Sequence, residues 1–289
     1  MTNTSPRKSS AFAPFAAVEI PFSSIPAAGT PEYAEFVAHY LSSAFAFVRG
    51  TPEWNKTKAF NTDIGGNVQC KILPSQVQQL AKKGWHLRES QHGPEYGLTF
   101  EDFRRYLRFQ HPTFERQYIQ DITLVECVHK VKKDETEIWH NAYRDFVQML
   151  LTIDLPPHPE PFSEAHQAAT LAWVRDPSRT IDPPSASTEP AYRSFLVLQI
   201  PISHPDYPQK LPKVRAVYSS FEAVFEAPAA DEQGAKAVNW KMAVQSDTRG
   251  RIPTMMQEMA MPGEIAHDVH AFIGWANKYK AENPPAANN

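Results

Sequence analysis

Apolar and polar positions alternate most regularly near the end of the chain. Val238, Trp240, Met242 and Val244 are interleaved with Asn239, Lys241, Ala243 and Gln245, the two-residue period of a strand with one buried face. The spacing then changes. Ile265, Val269, Phe272, Ile273, Ala276 and Tyr279 recur at helical intervals, with Glu264, His267, Asp268 and Lys278 largely on other faces. Pro262 and Gly263 punctuate the approach to this helix, and Pro284-Pro285 forbids continuation beyond Glu282. A tight turn over Ser246 to Pro253 joins strand to helix. Upstream, strands are predicted over Trp85–Ser90, Ile122–Val131, Tyr143–Ile153, Ser194–Ile202 and Val214–Phe225, with a short helix over Thr99–Leu107. Thr30-Pro31-Glu32 opens a further helix with an N-cap and a proline at the first helical position, predicted to run to about Val48 with Phe36, Val37, Tyr40, Leu41, Ala44 and Phe45 as its apolar stripe. Strand-rich runs followed by one long helix predict an α+β domain in which an antiparallel sheet wraps that helix.

Three segments carry a resemblance. The Asp247-x-x-Gly250-x-Ile252-Pro253 turn, Tyr143-Arg144-Asp145-Phe146-Val147, and Ser203-His204-Pro205-Asp206-Tyr207-Pro208 with Val214-Arg215-Ala216 stand in the order found in the steroidogenic-acute-regulatory-related lipid-transfer (START) superfamily. Trp85 to His92 and His111-Pro112-Thr113-Phe114-Glu115 with Tyr118 resemble a fungal branch of START-like proteins that mostly lack an assigned function. The resemblance spans about Trp85 to Tyr279. It implies a helix-grip fold, a curved antiparallel sheet around the C-terminal helix, whose consequence is a hydrophobic cavity that side chains need not fill. The implied organisation is an extended or disordered arm at 1–29, an N-terminal extension with a helix at 30–84, a ligand-binding domain at 85–282 and a disordered tail at 283–289. Within the domain, Leu155 to Tyr192 departs from the family pattern: prolines flank a helix-like Ser163–Val174, either a cover over the cavity mouth or a surface excursion.

Arg144 shares a strand face with Phe146, Gln148, Leu150 and Thr152. In the resembled family the arginine of this segment often lies inside the cavity beside an acid on a neighbouring strand. Glu126, which alternates with Leu124 and Val128, is the expected partner, and the pair serves either as a structural unit or as a ligand anchor. Tyr218 and Glu222 share one face of their strand, opposite Arg215, Val217, Phe221 and Phe225. If their face looks inward, a phenol and a carboxylate join Arg144 in a set able to polarise a carbonyl and move a proton; if not, both face solvent. Arg144, Glu126 and Tyr218 are therefore the candidate catalytic residues, and Phe146, Gln148, Leu150, Glu222, Trp240, Met242, Ile265, Val269 and Phe272 the candidate ligand contacts.

The remaining chemistry narrows the field. The formal net charge is −3, lysines and arginines are dispersed, and no basic stripe stands out, which argues against nucleic acid. Cys70 and Cys127 are the only cysteines, too few for a zinc site or a disulfide framework. His111 with Glu115, and His267 with His270, have spacings that could ligate a metal, but neither pair has a third ligand, so helix-end and surface histidines are expected, with no metal and no cofactor. Phosphate loops, dinucleotide fingerprints, zinc-peptidase and nucleophile-elbow motifs are all missing. With no apolar run long enough to span a bilayer, a cytoplasmic protein without stable membrane insertion is expected. Two functions follow from the resemblance: a cofactor-independent secondary-metabolism enzyme that cyclises or isomerises a polyketide-like substrate by acid–base catalysis, or a non-catalytic lipid or sterol carrier. The absence of an apolar or basic docking surface in the sequence tips the expectation toward the enzyme.

Overall fold

The structure is a computed structural model. It describes residues 16–74, 83–109, 111–120, 122, 124–132, 135–142, 145–178, 190–210, 213–229, 235–250 and 252–284, with residues 141 and 142 described for their backbone only. In chain order the elements are β1 (Ile20–Pro21), α1 (Pro31–Gly50), β2 (Asn55–Thr62), β3 (Gly66–Ile72), β4 (His86–His92), α2 (Phe100–Phe103), α3 (His111–Tyr118), β5 (Leu124–Lys132), β6 (Thr136–Ala142), β7 (Phe146–His158), α4 (Glu164–Arg175), β8 (Tyr192–Ser203), β9 (Val217–Pro228), β10 (Lys236–Asp247) and α5 (Thr254–Glu282).

A single sheet runs β2-β3-β4-β10-β9-β8-β7-β6-β5, antiparallel at every step, with β1 adding a short parallel pairing to β8. The two-residue alternation sorts its side chains onto two buried faces. On the inner face Val68, Val197, Val224, Trp240 and Met242 pack against Ile265, Val269, Phe272 and Ile273 of α5. On the outer face Leu87, Met149, Leu151, Leu198, Phe221 and Ala243 meet Val37, Leu41, Phe45 and Phe47 of α1. Each large apolar side chain removed from water in these layers contributes about 1.5–3 kcal/mol, so helices are held on both sides of the sheet. The expected curved antiparallel sheet around a C-terminal helix is therefore present.

Local signals explain most element ends. The Thr30 side chain accepts from the Tyr33 backbone N–H at 3.2 Å and Pro31 occupies the first turn of α1. The turn before α5 places Arg249 and Gly250 at φ 47° and 77°, with Asp247 Oδ1 accepting from the Arg249 N–H at 2.9 Å. The long helix itself begins earlier than its apolar spacing predicts, at Thr254, and carries Pro262 in its interior. Proline forfeits one helical hydrogen bond there, but Pro262 is buried and its carbonyl accepts from Cys70 Sγ at 3.4 Å, so packing holds the helix through it.

Two further departures concern the flanks. Residues 55–72, unread as strands, form the β2–β3 hairpin and extend the sheet next to β4, so no break in the sheet marks the boundary at residue 85. In the Leu155–Tyr192 segment, Ser163 caps α4 by accepting from the His166 N–H, and α4 lies on the outer face against α1, where Arg49 donates to Gln167 Oε1 at 2.6 Å and Gln167 to Ser42 at 2.9 Å. Residues 179–189 of that segment lie outside the described residues.

Candidate functional site

The strand register decides which polar side chains face α5. Trp240 stands opposite Ser90 and Val224, and Met242 opposite Arg88 and Glu222. Cross-strand partners share a face, so Arg88, Ser90, Tyr218, Ser220 and Glu222 all project inward with the apolar wall. The open question about β9 is thereby answered in favour of the inward reading.

Arg88 is the centre of the site. It is 2 % exposed, lies with its guanidinium carbon 3.8 Å from the centroid of the Trp240 ring, and has Nη2 3.6 Å from Glu222 Oε2. Its Nε and Nη1 have no hydrogen-bond partner among the described residues. Glu222, 4 % exposed, accepts instead from Trp240 Nε1 at 2.7 Å. From α3, His111 donates Nδ1–H to the Leu107 carbonyl at 2.6 Å, which leaves Nε2 as the free ring nitrogen. That nitrogen stands 3.8 Å from both Glu115 Oε2 and Glu222 Oε1 and makes no hydrogen bond among the described residues.

Glu115, Tyr118, Tyr218 and Asp268 complete the ring. All four are partly buried, and burial is the first cause of the shift of each. Burial pushes the Asp268 carboxyl up to about 8, with Glu115, Glu222 and Glu264 adding repulsion against the pull of Arg88. Burial likewise raises Glu115, with Glu222 adding to the effect and His111 opposing it. Tyr118 and Tyr218 are held well above the ordinary tyrosine value for the same first reason. Three carboxyl groups around one guanidinium cannot all ionise cheaply away from water, so Asp268 keeps its proton at neutral pH. The site thus offers N–H donors from Arg88, O–H donors from Asp268 and two phenols, and an acceptor at His111 Nε2.

Not every residue singled out in the sequence belongs to this site. Glu126 is exposed and faces the other way, because it pairs with His140, which in turn pairs with the outer-face Val147. The expected pairing took the Ile122–Val131 strand as the neighbour of the Tyr143–Ile153 strand, but β6, unread in the sequence, lies between β5 and β7. Arg144 itself lies outside the described residues. Phe146 packs edge-on against Tyr218 with centroids 6.4 Å apart, and Gln148 donates to the Tyr218 carbonyl at 3.1 Å. Leu150, Trp240, Met242, Ile265, Val269 and Phe272 form the apolar wall around the polar cluster. His111, expected at a surface helix end, is buried instead because α3 packs beneath α5. His267 is exposed and His270 bonds Thr62 Oγ1 at 2.7 Å. Among the described residues no group of three could hold a metal ion. The Cys70 thiol, raised to about 11 by burial, is no nucleophile.

Arg88 and Asp268 went unread in the sequence because neither sits in a chemical motif. The available signal was period-two: His86, Arg88, Ser90 and His92 alternate with the outward Leu87 and make the inward face of β4 polar, and Asp268 lies one residue before the core position Val269. A second space, an outer trough of about 740 Å³ lined by Asn67, Gln69, Glu89, Gln91, Asn239 and Lys241, has polar walls that satisfy one another. Gln91 donates to Asn239 at 3.3 Å and Lys241 to Thr51 Oγ1 at 2.7 Å, which leaves it without the unmet donors of the inner site.

Comparison with known proteins places this geometry. The family described as "Protein of unknown function (DUF3074)" matches residues 85–276, and the chain belongs to it. No curated protein matches the sequence. Among solved structures, human StAR-related lipid transfer protein 5 is similar over 87 % of this chain and 100 % of that one, at 14 % identity and a TM-score of 0.55. Human STARD10 is similar over 83 % and 82 % at 12 % identity and a TM-score of 0.49. The human StarD13 (DLC2) lipid transfer and protein localization domain covers 81 % and 95 % at 14 % identity and a TM-score of 0.44. The fold is START-like.

Proposed function

We propose that this member of the DUF3074 family binds a hydrophobic small molecule between the inner sheet face and α5, and that Arg88 holds an oxygen acceptor of that ligand, a carboxylate or a polarised carbonyl. One observation carries the reading: a 2 %-exposed guanidinium with two of its nitrogens unpartnered. Buried charged donors are costly when unmet, and nothing in the described protein meets these. A ligand oxygen supplies the missing acceptor, while the aromatic and aliphatic wall takes the rest of the molecule.

The same arrangement supports acid–base catalysis on a polyketide-like substrate. With a carbonyl oxygen polarised by Arg88, the neutral Asp268 carboxyl or the Tyr218 phenol is placed to donate a proton, and His111 Nε2 to accept one, the pair of transfers that enolisation and ring closure need. Residues 85–282 form the ligand-binding part in this proposal, with 30–84 as its extension. The second reading, a non-catalytic lipid or sterol carrier, is favoured by an exposed apolar corner at the start of α5. Native mass spectrometry of the purified chain tests both. An aromatic or polyketide-like acid released on denaturation supports the enzyme, a sterol or phospholipid the carrier, and an empty cavity that takes up none of these refutes ligand binding.

A further inference from the structure

The first two turns of α5 are built inside out. Ile252, Met255, Met256 and Met259 follow the i, i+3, i+4, i+7 spacing of one helical stripe, and they are 42, 70, 59 and 69 % exposed. The polar residues between them face the body. Gln257 Oε1 accepts from Lys83 Nζ at 3.0 Å, and Glu258 binds His86 Nε2 at 2.8 Å. Soluble helices bury such a stripe; here the protein covers the polar side and leaves the apolar side open.

Neighbouring segments enlarge the patch. Val214, 40 % exposed, lies beside the turn, 3.7 Å from where a side chain on Gly250 would begin. Val18, 65 % exposed, is brought to the same corner because Ala17 N–H donates to Gln245 Oε1 at 2.8 Å and Arg249 pairs with Glu19 at 3.3 Å. Lys210 and Lys213, both exposed, precede Val214 and have no ion-pair partner among the described residues. The result is a protruding, methionine-rich apolar tip with cations at its edge, a docking surface that the sequence did not disclose.

We infer that this corner docks the protein peripherally on an anionic lipid bilayer, the apolar tip entering the headgroup boundary and the lysines meeting lipid phosphates and carboxylates. An anionic bilayer matches both parts of the corner at once, an apolar layer for the methionine tip and negative headgroups for the lysines at its edge. Flexible unbranched methionines suit a fluid apolar phase, which demands no fixed shape. The inference is independent of which ligand or reaction occupies the inner cavity, and variants at Arg88 leave it untouched.

Co-sedimentation of the full chain with vesicles of phosphatidylcholine alone and of phosphatidylcholine with phosphatidylserine tests it. Binding is expected on the mixed vesicles and to weaken with salt. The triple change Met255→Ser, Met256→Ser, Met259→Ser is expected to weaken it ~10-fold or more at unchanged melting temperature. Lys210→Glu with Lys213→Glu lowers binding only where phosphatidylserine is present, and Leu124→Ser, an exposed apolar residue on β5, leaves it unchanged. A wild-type chain that stays in the supernatant with both vesicle types overturns the inference. So does a folded triple variant that binds like wild type, or a dimer in solution that the triple change dissociates while vesicles go unbound.

Discussion

Two buried arginines stand beside carboxylates in this molecule, one on each side of the sheet, and they are satisfied very differently. On the outer side Arg215, 5 % exposed, donates Nε–H to Asp145 Oδ2 at 2.8 Å and Nη2–H to the Tyr207 carbonyl at 2.8 Å. Asp145 also receives His140 Nε2 at 2.8 Å, and a backbone bridge ties Asp145 to Arg215. On the inner side Arg88 reaches Glu222 only at 3.6 Å and leaves Nε and Nη1 unmet. Equal burial with unequal satisfaction separates a pair that holds strands together from a pair held open for something else. Asp145 and Arg215 come from two of the segments that carry the wider START resemblance, so what those motifs hold in this chain is a structural clasp, whereas Arg88 lies in the Trp85–His92 segment, which resembles only the fungal branch.

The largest expected effect is on the clasp. Arg215→Leu strands the Asp145 charge in a site 5 % exposed, and loss of one partner of a buried pair costs about 3–5 kcal/mol. Chemical denaturation is expected to show that loss with ligand affinity per folded molecule unchanged. A loss below about 1 kcal/mol would place the pair among surface ion pairs and end the comparison. Burial pushes the Asp145 carboxyl up, but hydrogen bonds from Arg215 and His140 outweigh it and hold the group below its ordinary value. Its contribution is therefore present above the ordinary carboxylate range and is lost as the pH falls below it.

The inner pair is expected to respond less in stability and more in function. Arg88→Leu leaves Glu222 with the Trp240 N–H as its one close donor, so some stability is lost, roughly 1–3 kcal/mol. Adding Glu222→Gln keeps an acceptor for Trp240 and removes the stranded charge. The double variant is expected to recover the melting temperature of the wild type or exceed it, while affinity for the co-purified ligand stays ~10-fold or more below wild type. Recovery of ligand affinity together with stability would make Arg88 a second clasp and erase the difference between the two faces.

Much of the fold was legible and little of the site was. Strong alternation in β10, the Thr30-Pro31 start of α1 and the helical spacing from Ile265 onward each reported a buried face directly. The β2–β3 hairpin escaped because β2 is exposed along nearly all its length, with only Phe60 partly buried, so no period-two pattern marks it. The site escaped for a different reason. Its groups come from β4, β9, α3 and α5, and only the cross-strand register, Met242 opposite both Arg88 and Glu222, brings the first two together. Pair Arg144–Glu126 was the natural reading of adjacent strands, but β6, unread as a strand, stands between β5 and β7, and its register sets Glu126 through His140 on the outer face with Val147.

The last expected effect sharpens the contrast through pH. Asp268 is a third carboxyl near Arg88 with no ion-pair or hydrogen-bond partner of its own among the described residues, and burial raises it from 3.8 to about 8. Between those values the unfolded chain has released this proton while the folded chain keeps it, so the folded state binds more protons and stability falls as the pH rises, levelling off above about 8. Asp145 works in the opposite direction and in a more acidic window. Asp268→Asn replaces the neutral carboxyl with a group that never ionises, and is expected to match wild-type stability near pH 4 and to exceed it progressively toward pH 8, since ~1.4 kcal/mol per shifted pKa unit is the most that linkage allows. Urea denaturation of both proteins across that range measures the gap directly. A constant gap at every pH would mean that Asp268 titrates as freely as a surface aspartate, and the inner site would then hold one unmet arginine among ordinary carboxylates in place of a cluster buried enough to keep a carboxyl protonated.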